Sequence, residues 1–159
     1  MHSRDAARLS YSCRVGADAA VNSSQNSITM SLSPITVVVV DDSAAVRVFF
    51  EKVVSTLDLD LRTYASADAA LSYLTSTQPT LLFLDIIMPD KDGLTFLQEL
   101  RRNPLHRDTR TIVISSKDYA QDRSAARELG VLEFVPKPMT TRTILDLIVK
   151  HTGAAARAP

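Results

Sequence analysis

This chain has a single cysteine, no excess of charge of either sign and no long apolar run. Cys13 is the only cysteine in 159 residues, which excludes an internal disulfide and a cysteine-based zinc site. Basic and acidic residues balance at 18 each, so nothing favours binding to nucleic acid or to an anionic membrane. No apolar run is long enough to cross a membrane, and the first residues lack the apolar core of a secretory signal. We expect a cytoplasmic protein that binds neither nucleic acid nor membrane.

The two ends of the chain lack the periodic apolar pattern of folded segments. Residues 1–33 are rich in serine and alanine, so we expect a disordered tail that buries too little apolar surface to fold. Two other interpretations are a transit peptide and a natural start at Met30. Residues 153–159 are also predicted to be an unstructured tail, which leaves 34–152 as the single folded domain.

The body of the chain alternates strand-like and helix-like segments. Residues 35–40 are β-branched without a polar face, which predicts a strand buried on both sides, whereas residues 59–64 alternate and predict an edge strand. Five such βα units predict a doubly wound α/β fold. The predicted strands are 35–40, 59–64, 80–84, 111–114 and 132–135, and the predicted helices are 43–57, 66–75, 94–102, 118–129 and 139–151.

The predicted strand order places three acids together. With the second strand at an edge, the order 2-1-3-4-5 puts the topological switch point between strands 1 and 3. Ligands of open α/β sheets bind there, outside the carboxyl ends of the strands. Asp41 and Asp42 follow strand 1, and Asp85 follows strand 3. We therefore expect their carboxylates to converge.

The converging groups suit a divalent cation and a phosphoryl group. Three close carboxylates repel one another, and Mg²⁺ relieves the repulsion while accepting oxygen ligands. Asp85 is the candidate nucleophile, because an aspartate can form an acyl phosphate. Lys137 and Ser115, which follow other strands, would contact the phosphoryl oxygens. Taken singly, each group also fits a helix cap or a solvated loop; together they favour the phosphoryl site.

These residues resemble the receiver domain of two-component response regulators, over about residues 34–152. Asp85 lies 43 residues after Asp42, Ser115 lies 30 residues after Asp85, and Lys137 lies 22 residues after Ser115, as in that family. The segment Asp85-Ile-Ile-Met-Pro-Asp-Lys-Asp-Gly93 resembles the family's loop after the phosphorylated aspartate. The resemblance implies a flavodoxin-like receiver fold with a five-stranded parallel sheet.

The resemblance also implies roles for single residues. Asp85 would accept a phosphoryl group from a histidine kinase or a histidine phosphotransfer protein. Asp42, Asp85 and the backbone carbonyl of Ile87 would bind Mg²⁺ directly, with Asp41 acting through water. Ser115 would be the switch hydroxyl and Phe134 the switch aromatic, and phosphorylation would reshape the face formed by 118–129, 132–135 and 139–151. The bond between Lys137 and Pro138 is expected to be cis.

Two further expectations concern lifetime and output. Neither Ile87 nor Lys117 can orient an attacking water, which predicts slow self-dephosphorylation, with Lys117 as a candidate contact for the phosphoryl group. Only 22 residues follow Lys137. We therefore expect a stand-alone receiver, not an enzyme on other substrates, that signals through an unknown protein target as a monomer or weak phosphorylation-dependent dimer. A phosphate sink or relay intermediate is the alternative.

Rival functions fit the residues less well. A haloacid-dehalogenase-type phosphatase needs an acid two residues after its nucleophile, where this chain has Ile87. A flavin carrier needs a phosphate cradle in the first loop, where two acids stand instead. The three histidines, at positions 2, 106 and 151, are interpreted as surface residues. The basic cluster between Arg101 and Arg110 is interpreted as a solvated loop, with a docking patch as the minor alternative.

Overall fold

A computed structural model describes residues 33–117 and 119–158, so the predictions for residues 1–32 lie outside it. Five parallel strands form one sheet in the order β2-β1-β3-β4-β5, and the predicted fold class is confirmed. No helix in the described part of the chain has the length and apolarity needed to cross a membrane. The elements are β1 Thr36–Val40, α1 Ala44–Val54, β2 Asp60–Tyr64, α2 Ala67–Leu74, β3 Leu81–Asp85, α3 Gly93–Arg102, a 3-10 turn Pro104–His106, β4 Thr111–Ser115, α4 Ala120–Glu128, β5 Glu133–Pro136 and α5 Thr141–Thr152.

Burial separates the central strands from the edge. Strands β3 and β4 are buried along their whole length, and β1 is buried from Val37 onward, because helices cover both faces. Strand β2 is half exposed and pairs with β1 alone. The alternating pattern of β2 therefore identified an edge strand correctly.

The sheet divides the apolar interior into two cores. One core surrounds Phe50 and Phe83 and includes Ile144 and Ile148 of α5. The other contains Leu74 of α2 and Phe96 and Leu97 of α3, with alternate residues of the same strands. Burying a side chain of this size contributes about 1.5–3 kcal/mol, so the two cores hold the strand ends in place.

Side-chain caps begin several helices at the residues that the pattern favours. Ser43, Ser66 and Thr140 each accept a hydrogen bond from the amide three residues later. Ser43, and not the neighbouring Asp42, caps α1. Gly130, with φ of +73°, follows the α4 helix in the left-handed conformation that glycine adopts readily.

The last residues differ from the predicted unstructured tail. After α5 the chain turns back at Gly153 and runs antiparallel beside the α1–β2 connection. Asp58 N donates to Ala155 O at 2.9 Å, and Arg157 N donates to Thr56 O at 2.8 Å. Composition could not predict the position of this segment, because backbone hydrogen bonds hold it in place.

The prediction that His106 lies on the surface is wrong. His106 is fully buried in the 3-10 turn, with Nε2 2.5 Å from Leu74 O and Nδ1 3.0 Å from Thr109 Oγ1. A carbonyl only accepts hydrogen bonds, so Nε2 donates to Leu74 O. His151 is half-buried rather than fully exposed.

Arg101 corrects the interpretation of the basic cluster. Its guanidinium donates to His106 O at 2.6 Å and to Leu129 O at 3.2 Å, so it joins the 3-10 turn to the end of α4. The pKa of Arg101 is lowered, because the side chain is removed from water. Arg102, Arg107 and Arg110 do lie at the surface.

We expect His106→Ala to lower the free energy of unfolding by about 2–4 kcal/mol, since it opens a cavity and leaves the Leu74 carbonyl without its donor. Arg107→Ala, one residue away on the surface, is the matched control and should change stability by less than about 0.5 kcal/mol. Urea denaturation measures both. Equal stabilities of the two variants would contradict the buried role of His106.

Candidate functional site

The carboxyl ends of β1 and β3 bring three acids together. Asp41 follows β1 directly, Asp42 is next, and Asp85 is the last residue of β3. One carboxylate oxygen from each lies within 4.8 Å of the others. Asp41 and Asp85 are buried, whereas Asp42 is exposed. The predicted convergence is therefore present, with one acid facing solvent.

Lys137 reaches this cluster from the end of β5, the edge strand opposite β2. Its Nζ lies 2.8 Å from Asp41 Oδ2 and 3.0 Å from Asp85 Oδ2. Its backbone amide donates to Ser115 O at 2.8 Å, which fastens the end of β5 to the end of β4. The predicted cis bond between Lys137 and Pro138 is confirmed.

Backbone amides orient the two buried carboxylates. Ser43 N donates to Asp41 Oδ1 at 2.9 Å, and Ile87 N donates to Asp85 Oδ1 at 3.2 Å. The other Asp41 oxygen, Oδ2, faces the Lys137 ammonium at 2.8 Å, and Asp41 is fully buried. One ammonium therefore serves both buried carboxylates.

Burial and charge shift the pKa values of the central pair. Burial raises the pKa of the Asp85 carboxyl above its ordinary value; Lys137 opposes the rise, and the charge of Asp41 adds to it. Burial alone would lower the pKa of the Lys137 ammonium, but Asp41 and Asp85 raise it. Lys137 is therefore held as a cation, and Asp85 is a carboxylate whose charge is incompletely balanced.

Gly93 allows α3 to begin against the end of β3. Its amide donates to Ile86 O at 2.8 Å. A Cβ at this position would lie 2.0 Å from Asp85 O, which no side chain can do. The sequence pattern did not reveal this close approach of two backbones.

The two residues predicted to form the switch, Ser115 and Phe134, lie on the flank of the cluster. Ser115 ends β4 and is buried, and its Oγ accepts a hydrogen bond from Lys117 N at 3.1 Å. Phe134 on β5 is half-buried, and the guanidinium of Arg123 lies 4.6 Å from the centre of its ring.

The two residues predicted to influence phosphoryl lifetime point outward. The Ile87 side chain is 39% exposed beside Asp85. The Lys117 ammonium lies 5.8 Å from the centre of the Tyr119 ring, which is itself exposed, so Lys117 contacts an aromatic face.

Arg47 is a site residue that the sequence pattern did not identify. It lies on α1, and its Nη1 donates to the backbone carbonyls of Asp41 at 2.8 Å and Asp42 at 3.0 Å. Its position four residues after the cap Ser43 was the available signal, because that spacing returns a helical side chain to the same face.

A family model described as the response regulator receiver domain matches residues 37–149. The chain belongs to this family. It is 37% identical over 110 residues to the cyclic di-GMP phosphodiesterase response regulator RpfG of Xanthomonas campestris, covering 68% of this chain and 29% of that protein. It is 30% identical over 115 residues to Protein PilG of Pseudomonas aeruginosa, covering 72% of this chain and 85% of that one.

Solved structures agree on the receiver fold. The chemotaxis protein CheY4 of Vibrio cholerae superposes with a TM-score of 0.68 at 19% identity, covering 75% of this chain and 99% of that one. At this identity the likeness shows the fold alone. The chain spans less than a third of RpfG and most of PilG, so the relatives include a much longer protein and one of nearly this size.

We predict that Gly93→Ala lowers the free energy of unfolding by about 3 kcal/mol or more, because the new methyl group overlaps the Asp85 carbonyl. Gly130→Ala is the matched control, because a Cβ there meets no atom within 4 Å. It should cost only about 1 kcal/mol for its left-handed backbone. Urea denaturation of both variants checks the difference, and equal losses would argue against the close approach.

Asp85→Asn should raise the free energy of unfolding at pH 7 when no divalent cation is present. The raised pKa of Asp85 means that ionising this carboxyl opposes folding, so stability is lost as the pH rises through the folded-state pKa. The advantage of the variant should shrink with acid and disappear below the ordinary value of 3.8. Denaturation across pH measures it, and a variant less stable than wild type at pH 7 would contradict the shift.

Proposed function

We propose that this receiver domain transfers a phosphoryl group from a phosphohistidine donor to Asp85, and that the donor is a histidine kinase or a histidine phosphotransfer protein. The observation that carries the proposal is the position of Asp85, whose carboxylate contacts Lys137 and lies within 4.8 Å of two further carboxylates. Ile87, at the place where a haloacid-dehalogenase-type phosphatase needs an acid, argues against that alternative.

The acid cluster fits Mg²⁺ on its donor chemistry. Three carboxylates, with one oxygen of each within 4.8 Å of the others, supply the hard oxygen ligands that this ion prefers. We propose that Asp42, Asp85 and the Ile87 carbonyl hold the ion directly, with Asp41 acting through water. When bound, the ion would offset the carboxylate repulsion and the charge of the phosphoryl oxygens.

The protein's own groups position the reaction. A carboxylate oxygen of Asp85 forms the new bond to phosphorus, while the bond from phosphorus to the donor's imidazole nitrogen breaks and its electron pair returns to the ring. The Ile87 amide and Lys137 hold the Asp85 carboxylate in one orientation. Lys137 then faces the transferred group, where its ammonium offsets the negative charge on the phosphoryl oxygens.

Phosphorylation would act on the neighbouring strands through Ser115 and Phe134. We propose that the Ser115 hydroxyl, now accepting from the Lys117 amide, moves to donate to a phosphoryl oxygen. The change at the end of β4 lets Phe134 rotate inward. The face formed by α4, β5 and α5 then takes a second shape, as a local charge change biases a two-state element.

The output is proposed to be contact with a protein target. PilG, of which the matched region covers 85%, is a relative of nearly this size, and it supports a receiver that acts without an output domain. A phosphate sink or relay intermediate is the alternative for the same site. In either case the domain would act on its own phosphorylation only, as a monomer or as a weak phosphorylation-dependent dimer.

Acetyl phosphate with Mg²⁺ should add one phosphoryl group to the wild-type protein and none to Asp85→Asn. Chelation of the cation by EDTA should prevent the addition. Asp90→Asn, which removes an exposed acid from the same loop, is the matched control and should be phosphorylated like wild type. Intact mass spectrometry gives the readout, and phosphorylation of Asp85→Asn to the wild-type level would overturn the proposal.

The acyl phosphate should decay slowly, because the exposed Ile87 side chain cannot hold a water for attack on phosphorus. Ile87→Asn supplies an amide at this position and should accelerate decay by about tenfold or more. Ile87→Leu, which keeps the apolar character, should decay like wild type. The decay of phosphorylated protein after removal of the donor measures this, and no change in Ile87→Asn would refute the idea.

A further inference from the structure

Arg47 joins α1 to the acid-bearing loop through a single nitrogen. Its Nη1 donates to two successive carbonyls, those of Asp41 at 2.8 Å and Asp42 at 3.0 Å. Hydrogen bonds from a charged donor are about twice as strong as neutral ones. Because both carbonyls bond to one guanidinium, the backbone is restricted on both sides of the peptide between them.

The three acids differ in what holds them. Asp41 and Asp85 each accept from a backbone amide and each contact Lys137. Within residues 33–117 and 119–158, the Asp42 carboxylate has neither a hydrogen bond nor an ion pair, and it is exposed. The orientation of Asp42 is therefore set by its backbone, and the carbonyl of that backbone is held by Arg47.

We propose that Arg47 is a positioning residue for the cation site, acting through the backbone of Asp41 and Asp42. The inference rests on the proposed function, because it assumes that the three carboxylates bind Mg²⁺. With the guanidinium in place, the Asp42 carboxylate is presented to the cluster before the ion arrives. Without it, the loop must be ordered when the ion binds, and affinity falls.

Charge alone predicts the opposite result. A guanidinium beside a cation site repels the cation, so its removal should tighten Mg²⁺ binding if Arg47 acted only through its charge. Positioning predicts weaker binding on removal. The sign of the change in affinity therefore separates the positioning role from the charge role.

The test is a calorimetric Mg²⁺ titration without any phosphodonor, alongside the melting temperature of the metal-free proteins. Arg47→Met removes the donors while keeping a similar helix propensity. We expect its Mg²⁺ dissociation constant to rise about tenfold. Arg47→Lys keeps the charge, but its ammonium ends one bond short of the position of Nη1, so it should also bind more weakly than wild type. Lys52→Met removes an exposed charge from the same helix and should bind like wild type.

Each outcome decides between the roles. Mg²⁺ binding by Arg47→Met that equals or exceeds that of wild type would overturn the inference. If Arg47→Met does not fold, Arg47→Lys decides, and wild-type affinity in that variant overturns it equally. Wild-type protein that binds no Mg²⁺, or Asp42→Asn that binds it like wild type, would remove the proposed cation site itself. A failure confined to the Arg47 variants leaves that site standing.

Discussion

The rest of the site depends on the ion pairs that Lys137 forms with two buried carboxylates. Two buried carboxylates, Asp41 and Asp85, share its ammonium at 2.8 and 3.0 Å. Removing this ammonium would cost about 3–5 kcal/mol, because both carboxylates would stay buried without a cation to balance them. Lys137 comes from the end of β5, two strands away from β3. The order of the sheet is thus also the means by which the charges meet.

The same arrangement leaves the cluster short of positive charge. One ammonium serves two buried acids, a third acid stands beside them, and the pKa of Asp85 stays raised. Such a site gains by binding a cation, and the neighbouring backbone is arranged to hold the acids in place beforehand. Gly93 brings α3 against the Asp85 carbonyl, and Arg47 holds the carbonyls of the other two acids. On the proposed function, stability is reduced at the carboxylate that would accept the phosphoryl group.

Much of the fold and of the site could be predicted, because local pattern and topology carry them. The β-branched run before Asp41, the alternation in β2 and the polar residues at strand ends predicted the sheet order and the convergence of Asp41, Asp42 and Asp85. Contacts with backbone groups far away in the chain could not be predicted from local pattern. The burial of His106 depends on the Leu74 carbonyl, and the docking of residues 153–158 depends on the α1–β2 connection. The sequence does not distinguish Arg47 from other helical arginines, because its partners are backbone carbonyls.

The central claim is that Asp85, and no other acid of the cluster, carries the phosphoryl group. Borohydride reduces an aspartyl phosphate to homoserine, which peptide mass spectrometry locates within the chain. After phosphorylation and reduction of the wild-type protein, homoserine is expected at position 85, with Asp41 and Asp42 unchanged. Homoserine at position 41 or 42, or at none of the three, would contradict the account.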